Sequence, residues 1–453
     1  MFERFVSLAT AAPEAAALID GTTGAVTTRS ALLACAEELA SRLTTAGLRE
    51  GDALAIQLPN SVDFVAAFLA ACRLGLIVVP IDRDAPETEV AKILGHFAIR
   101  GLVYVGDRQS CLSVRSPRQA GSPVLHVADA RLIKLTSGST GMPKGIVTSE
   151  ANLIADYTNI CATMGIRPDD LNLGAIPFSH SYGFSNLVMP LVVQGTPVVV
   201  SNDYLPQSLI ELANHHRCTV APLIPMVFAH LASAAHGDFE TVRTFISAGA
   251  PLPATTSRNF RERFGLDIHS FYGCSECGGI TYDRRGGAVE RGTVGEAMDG
   301  VSLETTGSRL CVRSGSVAAG YLFDAATFRP FELGTFTTDD LVELREDGEL
   351  ALTGRAGDLI NTAGKKVNPR EVEAVILQIE GVREAKVYGE PAGARGEVVA
   401  AAIVATPNVT REQVREFCRA RLSTHKVPRI VKLIDEMPVD ERGKVKRAVL
   451  ATL

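Results

Sequence analysis

Leu135-Thr136-Ser137-Gly138-Ser139-Thr140-Gly141-Met142-Pro143-Lys144-Gly145 is the stretch from which the fold is read. The ten residues from Thr136 to Gly145 hold three glycines, four hydroxyls and one lysine. Such a loop can wrap phosphate oxygens. Glycines let backbone N–H groups approach, hydroxyls donate, and Lys144 brings positive charge. It is not a Walker A loop, because Pro143 replaces the glycine before the lysine and no Ser or Thr follows. Composition alone leaves a Ser/Gly-rich surface turn as the competing reading.

Outward from the loop the chain alternates helical and strand signals. Residues 31–43 read as an amphipathic helix, 53–58 as a short strand and 62–74 as another helix. Gly75 then leads into the buried-strand run LIVVPI, and strand-like runs return at 197–201 and 219–223. This alternation predicts an α/β fold, a large N-terminal domain (1–354) of mostly parallel sheets flanked by helices.

After about residue 355 the texture changes. Asn368 and Pro369 form an N-cap and first-turn pair, with Val372, Val375, Ile376 and Ile379 behind them at helical spacing. Thr410 and Gln413 make a capping-box pattern, and strand-like runs lie at 385–388 and 398–404. These features predict a small, mobile C-terminal α+β domain (355–453). In Thr353-Gly354-Arg355-Ala356-Gly357-Asp358 two glycines provide the backbone freedom of a hinge.

The 453 residues are 46% hydrophobic and 21% charged, with net charge −6 and pI near 5.9. That balance gives no electrostatic case for a nucleic acid or an anionic membrane as partner. Nine cysteines, an odd number in a long chain, argue against a disulfide scaffold. Cys274 and Cys277 form a C-x-x-C with no second Cys/His pair at zinc spacing, and read as a chance pair. The N-terminus lacks a long apolar run behind a basic start, and no apolar run nears the ~20 residues of a membrane span. The expected address is the cytoplasm.

TSGSTGMPKG resembles the phosphate loop of the ANL superfamily of adenylating enzymes, which includes acyl- and aryl-CoA ligases, stand-alone adenylation domains and firefly-type luciferases. The resemblance continues in order along the chain. GLREGDALAIQLPNSVDFVAAFLAACRLGLIVVPID is similar to the family's N-terminal stretch, and PFSHSYGF (177–184) to its His-and-aromatic segment by the acid pocket. SAGAPLP (247–253) is similar to an adenine-side loop, and YGCSE (272–276) stands where the family has YGxTE. FTTDDLVEL, GRAGDLINTAGKKVNPREVE and ERGKVKR resemble the ribose, hinge and C-terminal lysine motifs.

That resemblance implies roles. A carboxylate is a poor electrophile, so its oxygen must be brought to the α-phosphorus of ATP while charge on the phosphates is held. Thr136, Ser137, Gly138, Ser139, Thr140, Gly141 and Lys144 would grip the β- and γ-phosphates. Glu276 would hold Mg2+, and Ser275, in place of the usual Thr, would touch the α-phosphate. Tyr272 would stack on adenine, flanked by Phe271 and Gly273, with Gly249, Ala250 and Pro251 along the other side. Asp340 would bind the ribose hydroxyls, although Asp339 beside it replaces the usual glycine. Arg355 would reach the ribose and phosphates, and Lys444 would bridge the acid carboxylate and α-phosphate. His180 would stand in the acid pocket. Gly357 occupies the hinge position, usually Asp or Lys, and Gly364 would flank the pantetheine path.

The expected cofactors are ATP, Mg2+ and coenzyme A, and the expected small-molecule partner is a carboxylic acid. The segment 177–186 has no carboxylate to pair an α-ammonium, so a fatty or aromatic acid is expected rather than an α-amino acid. Tyr182, Phe184, Pro225, Met226 and the Gly278-Gly279 pair are candidate wall residues, the two glycines leaving room for a bulky acid. An acyl or peptidyl carrier protein is the alternative acceptor, and a non-catalytic ATP- or acyl-binding protein the alternative from another class. Monomer and homodimer both remain open.

Overall fold

The computed structural model describes residues 1–106, 109–114, 129–136, 143–362, 365–391, 397–438, 445 and 449–450. They form two compact units, Met1–Leu303 with Val312–Phe336, and Glu304–Cys311 with Thr337–Leu453. The hinge stretch read at 353–358 lies within the second.

The first unit contains two large sheets, each parallel at its centre and antiparallel at its edges. In the eight-stranded sheet Ala53–Gln57 pairs in parallel with Ile77–Pro80 and Gly101–Gly106, and Ile77–Pro80 with Ala130–Thr136. Lys144–Ser149 then returns antiparallel to Ala130–Thr136 and receives Gly320–Leu322 on its other side. In the nine-stranded sheet the parallel strands are Ile268–Cys274, Thr244–Ser247, Val220–Leu223, Asn172–Gly174, Val198–Val200 and Ala16–Asp20, in that spatial order. Gly278–Tyr282 and then Glu296–Ala297 continue antiparallel beyond Ile268–Cys274, and Val26–Thr28 forms the other antiparallel edge. Apolar runs such as Val198–Val200 stay continuous because parallel strands are covered on both faces.

The helix Val62–Leu74 shows how sequence becomes packing. The Ser61 side chain accepts from Phe64 N, and Gly75 closes the C-terminus in the left-handed region at φ 66°. Every residue from Phe64 to Ala71 is buried. One apolar cluster joins them to Leu54 and Val78 of one sheet and Leu18 and Val198 of the other. Phe68 meets Phe184 edge-on at 4.9 Å. Burying each such phenylalanine contributes roughly 1.5–3 kcal/mol. The helix read at 31–43 runs Arg29–Thr45, because Thr28 caps it by accepting from Ala31 N. Among the described residues no helix is long and apolar enough to cross a membrane.

In the second unit Val382–Pro391, Glu397–Ala405 and Ile430–Ile434 form a three-stranded sheet, with helices Pro369–Ile376 and Arg411–Arg419. Asn368 caps the first helix through Arg370 N, and Thr410 and Gln413 form a complete capping box on the second. Val372, Ile376, Val414 and Cys418 share one apolar cluster with Val399 and Ile403.

Candidate active site

Open α/β sheets bind ligands beyond the carboxyl ends of their parallel strands. The motif residues of the first unit come from such ends. Thr136 closes Ala130–Thr136, paired across to Lys144, whose carbonyl accepts from Thr136 Oγ1 at 3.3 Å. The loop residues Ser137, Gly138, Ser139, Thr140 and Gly141 lie outside the described residues, as do Gly364 and Lys444 of the C-terminal motifs.

Ser275 and Glu276 occupy the turn between Ile268–Cys274 and Gly278–Tyr282. Cys277 N donates to Cys274 O across it at 3.2 Å. Ala318 N donates to Glu276 O at 2.8 Å, and Ser316 Oγ donates to Cys277 O at 2.7 Å. From another side, buried Asp156 accepts from Gly279 N at 2.9 Å and from Ser185 Oγ at 2.6 Å. One carboxylate thus ties the turn to the segment that follows His180. Gly278 has φ 73°, and a Cβ there would collide with Asp156 Oδ1. At Gly279 a Cβ would stand 2.7 Å from Met298 Sδ. The reading of these two glycines as room for a bulky acid is therefore corrected: Asp156 and Met298 fill the space beside them.

Asn60 shapes the segment leading to His180, donating to Gly174 O and Ile176 O and accepting from Phe178 N at 2.7 Å. His180 precedes a continuous helical run, Ser181–Gly183, Phe184–Val188 and Met189–Gln194, whose middle part is a π-turn. Such turns are frequent at functional sites. His180 Nε2 lies 3.2 Å from Asp82 Oδ2, and Ser181 Oγ lies 3.0 Å from Ser275 Oγ. The Tyr182 hydroxyl donates to Ile246 O at 2.8 Å, and burial holds its pKa well above the usual tyrosine range. Phe184 and Pro225 are buried, whereas Met226 is exposed.

Glu276 and Lys144 meet at one tyrosine. Tyr321 OH donates to Glu276 Oε1 at 2.8 Å, and Lys144 Nζ stands 5.4 Å from the Tyr321 ring centre. Glu276 fits the part of a Mg2+ ligand, since its half-buried carboxylate has one oxygen bonded to Tyr321 and a second to offer. Among the described residues no group of three or more His, Cys, Asp or Glu could hold a metal. Mg2+ takes one or two carboxylates and completes its shell with water and substrate phosphates.

In the loop 247–253, expected on the adenine side, Gly249 has φ 87°, and Gly249 and Pro251 are exposed, with Ala250 half-buried. Phe271 is buried against Tyr182 at 5.8 Å, while Tyr272 is half-buried and Gly273 exposed. A Cβ at Gly273 would run into Gly278 O, so the hairpin requires glycine there. The Cys274 thiol is pushed well above its ordinary pKa, first by its hydrogen bond with Cys277 and then by burial.

In the second unit Asp340 and Arg355 are cross-strand partners, with Arg355 Nε donating to Asp340 Oδ1 at 2.9 Å. Asp340 is buried, whereas Asp339 is exposed and bonded to Arg309 at 2.7 Å. Gly354 lies against Asn368, where a Cβ would stand 2.7 Å from its Oδ1. Gly357 has open space around it, so nothing steric demands glycine at that position.

Sequence reading missed Asn60, Asp82, Asp156 and Tyr321. Each bonds a motif segment from far away along the chain; Asn60 and Asp82 lie within the N-terminal family-like stretch 47–82 without being singled out there, and Asp156 and Tyr321 lie outside every quoted motif.

Residues 5–322 match the family model described as AMP-binding enzyme, and residues 371–444 match the AMP-binding enzyme C-terminal domain. The long-chain-fatty-acid–CoA ligase FadD13 of Mycobacterium tuberculosis is 27% identical across 98% of this chain and 96% of its own. The 2-succinylbenzoate–CoA ligase of Bacillus licheniformis is also 27% identical, across 91% of this chain and 92% of its own. ATP-bound MatB from Rhodopseudomonas palustris superposes with a TM-score of 0.84 at 25% identity, over 100% of this chain and 98% of that one.

Proposed function

The chain belongs to the AMP-binding enzymes, and from that membership we propose that it joins a carboxylic acid to the thiol of coenzyme A at the expense of ATP. In the first half-reaction a carboxylate oxygen attacks the α-phosphorus, the bond to the pyrophosphate oxygen breaks, and an acyl-adenylate forms. In the second the thiol sulfur attacks the acyl carbon and AMP leaves. The carrying observation is the meeting of Lys144 and Glu276 at Tyr321, with Ser275 beside Glu276 on the same braced turn. A lysine for phosphates, a carboxylate for a cation and a hydroxyl for the α-phosphate are the groups this transfer needs. When bound, Mg2+ would neutralise phosphate charge at Glu276.

Asp340 and Arg355 are assigned to the ribose side, and Lys444 to the negative charge that gathers between the acid and the α-phosphate. Domain 355–453 is proposed to turn about the glycine-flanked stretch at 353–358, exchanging Lys444 for the Gly364 region between half-reactions. The proposed acid is fatty or aromatic. Segment 177–186 carries no carboxylate, and Asp82, which stands beside it, is bonded to His180.

The test is mass spectrometry of products from the full chain with Mg-ATP and a panel of fatty, aromatic and amino acids, with and without CoA. Acyl-AMP without CoA, and acyl-CoA with it, is the expected result. Acyl-AMP that persists in the presence of CoA would replace CoA by a carrier-protein thiol. No adenylate from any acid would overturn the reading.

A further inference from the structure

Tyr321 belongs to none of the motifs that assign the site, yet it touches two of their side chains. We infer that Tyr321 is a positioning residue for metal and phosphate binding, its hydroxyl orienting Glu276 and its ring, with that of Phe323, holding Lys144. The inference rests on the proposed roles of those two residues.

The hydroxyl donates to Glu276 Oε1 at 2.8 Å, a charge-assisted bond that fixes the rotation of the carboxylate and leaves the second oxygen to a cation. The Lys144 ammonium lies 5.4 Å from the Tyr321 centroid and 5.3 Å from that of Phe323, inside the ~6 Å range of cation–π attraction. The tyrosine itself is held firmly. Its backbone pairs with Ile146 and Arg329 on the two flanking strands, and Phe331 meets its ring edge-on at 4.8 Å. Ile146 follows Lys144 by two residues on the same strand, so the register that places Tyr321 also places the lysine. A residue that served only packing would need the ring and not the hydroxyl.

Tyr321→Phe separates the two, because it keeps every ring contact. The experiment uses the full chain with α,β-methylene-ATP, and Mn2+ as an oxygen-seeking stand-in for Mg2+, with free Mn2+ read by electron paramagnetic resonance. Tyr321→Phe is expected to weaken Mn2+ binding roughly ten-fold, as loss of a ligand-orienting partner does, with metal-free nucleotide affinity within about two-fold of the parent. Glu276→Gln run beside it should weaken Mn2+ at least as much. Unaltered Mn2+ binding in Tyr321→Phe with a weakened Glu276→Gln overturns the tyrosine's role and leaves the metal reading standing. Unaltered binding in both overturns the metal reading and the inference with it. Equal loss of Mn2+ and metal-free nucleotide binding in Tyr321→Phe, the mark of general structural damage, also overturns the inference.

Discussion

Ser275 and Glu276 sit on a turn tied down from several directions, whereas Asp340 and Arg355 meet through a charged pair whose arginine side chain is 54% exposed. The turn accepts hydrogen bonds from Ala318, Ser316 and Tyr321 and donates one to Asp156, all within the first unit. Its groups are held before any substrate arrives, which is what stabilising charge in a transition state requires. The charged pair in the second unit is open to water on the arginine's side. An exposed guanidinium gains about 0–1 kcal/mol from its carboxylate and loses little on leaving it. The difference is between a turn braced at the proposed metal and α-phosphate side and an exposed cation at the proposed ribose side.

The largest effect should come from disturbing the turn where it is tightest. Gly278→Ala puts a methyl onto Asp156 Oδ1 in a backbone with φ 73°. The left-handed conformation alone costs roughly 1–2 kcal/mol for a non-glycine residue. Displacing Asp156 would also release its bonds to Gly279 and Ser185. A misplacement of the order of 1 Å in such a turn lowers the rate on the order of 100-fold. Pyrophosphate release and a denaturant titration check the two parts of this expectation. A stable variant with the parent's rate would show that the turn tolerates movement and would erase the contrast.

A smaller effect is expected at the other end of the comparison. Arg355→Ala should change stability by about 1 kcal/mol, because the guanidinium is 54% exposed although the Asp340 carboxylate it meets is buried. The KM for ATP should rise roughly ten-fold, the worth of one charge-assisted hydrogen bond. Denaturant midpoints and initial rates against ATP measure both. A large stability loss with an unaltered KM would make Arg355 a structural brace, no different in kind from Asp156.

The two regions were also unequally legible. Elements with local signals were read well: Val62–Leu74 follows from apolar spacing behind Ser61, and the helix at 411–419 from the Thr410–Gln413 box. The proposed phosphate loop, YGCSE and the 339–340 pair are singled out only by ordered motifs that resemble a family. What braces those motifs was not legible. Asp156 lies 123 residues from Gly279, Asp82 lies 98 from His180, and Tyr321 lies 45 from Glu276. A hydrogen bond across such distances leaves no periodic trace, and each partner alone resembles an ordinary surface or core residue. Gly278 and Gly279 were misjudged for the same reason, since the side chains that crowd them come from elsewhere in the chain.

The smallest expected effect tests whether the turn is as closed as its hydrogen bonds imply. Cys274 and Cys277 flank Ser275 and Glu276, and Cys277 is fully buried. A C-x-x-C in a mobile turn would offer a reactive thiolate, but here the hydrogen bond to Cys277, then burial, raises the Cys274 pKa well above the ordinary thiol value. A raised pKa keeps the neutral thiol as pH climbs through the range where a free cysteine ionises, so the nucleophilic form stays scarce at pH 8. Iodoacetamide at pH 8 should therefore alkylate Cys274 more than about ten-fold slower than free cysteine, read by peptide mass spectrometry. Adenylate formation should be unaltered over the same interval. Rapid alkylation of Cys274 with loss of activity would mean that the turn opens in solution, and the division between a braced turn at the proposed metal side and an exposed pair at the proposed ribose side would have to be redrawn.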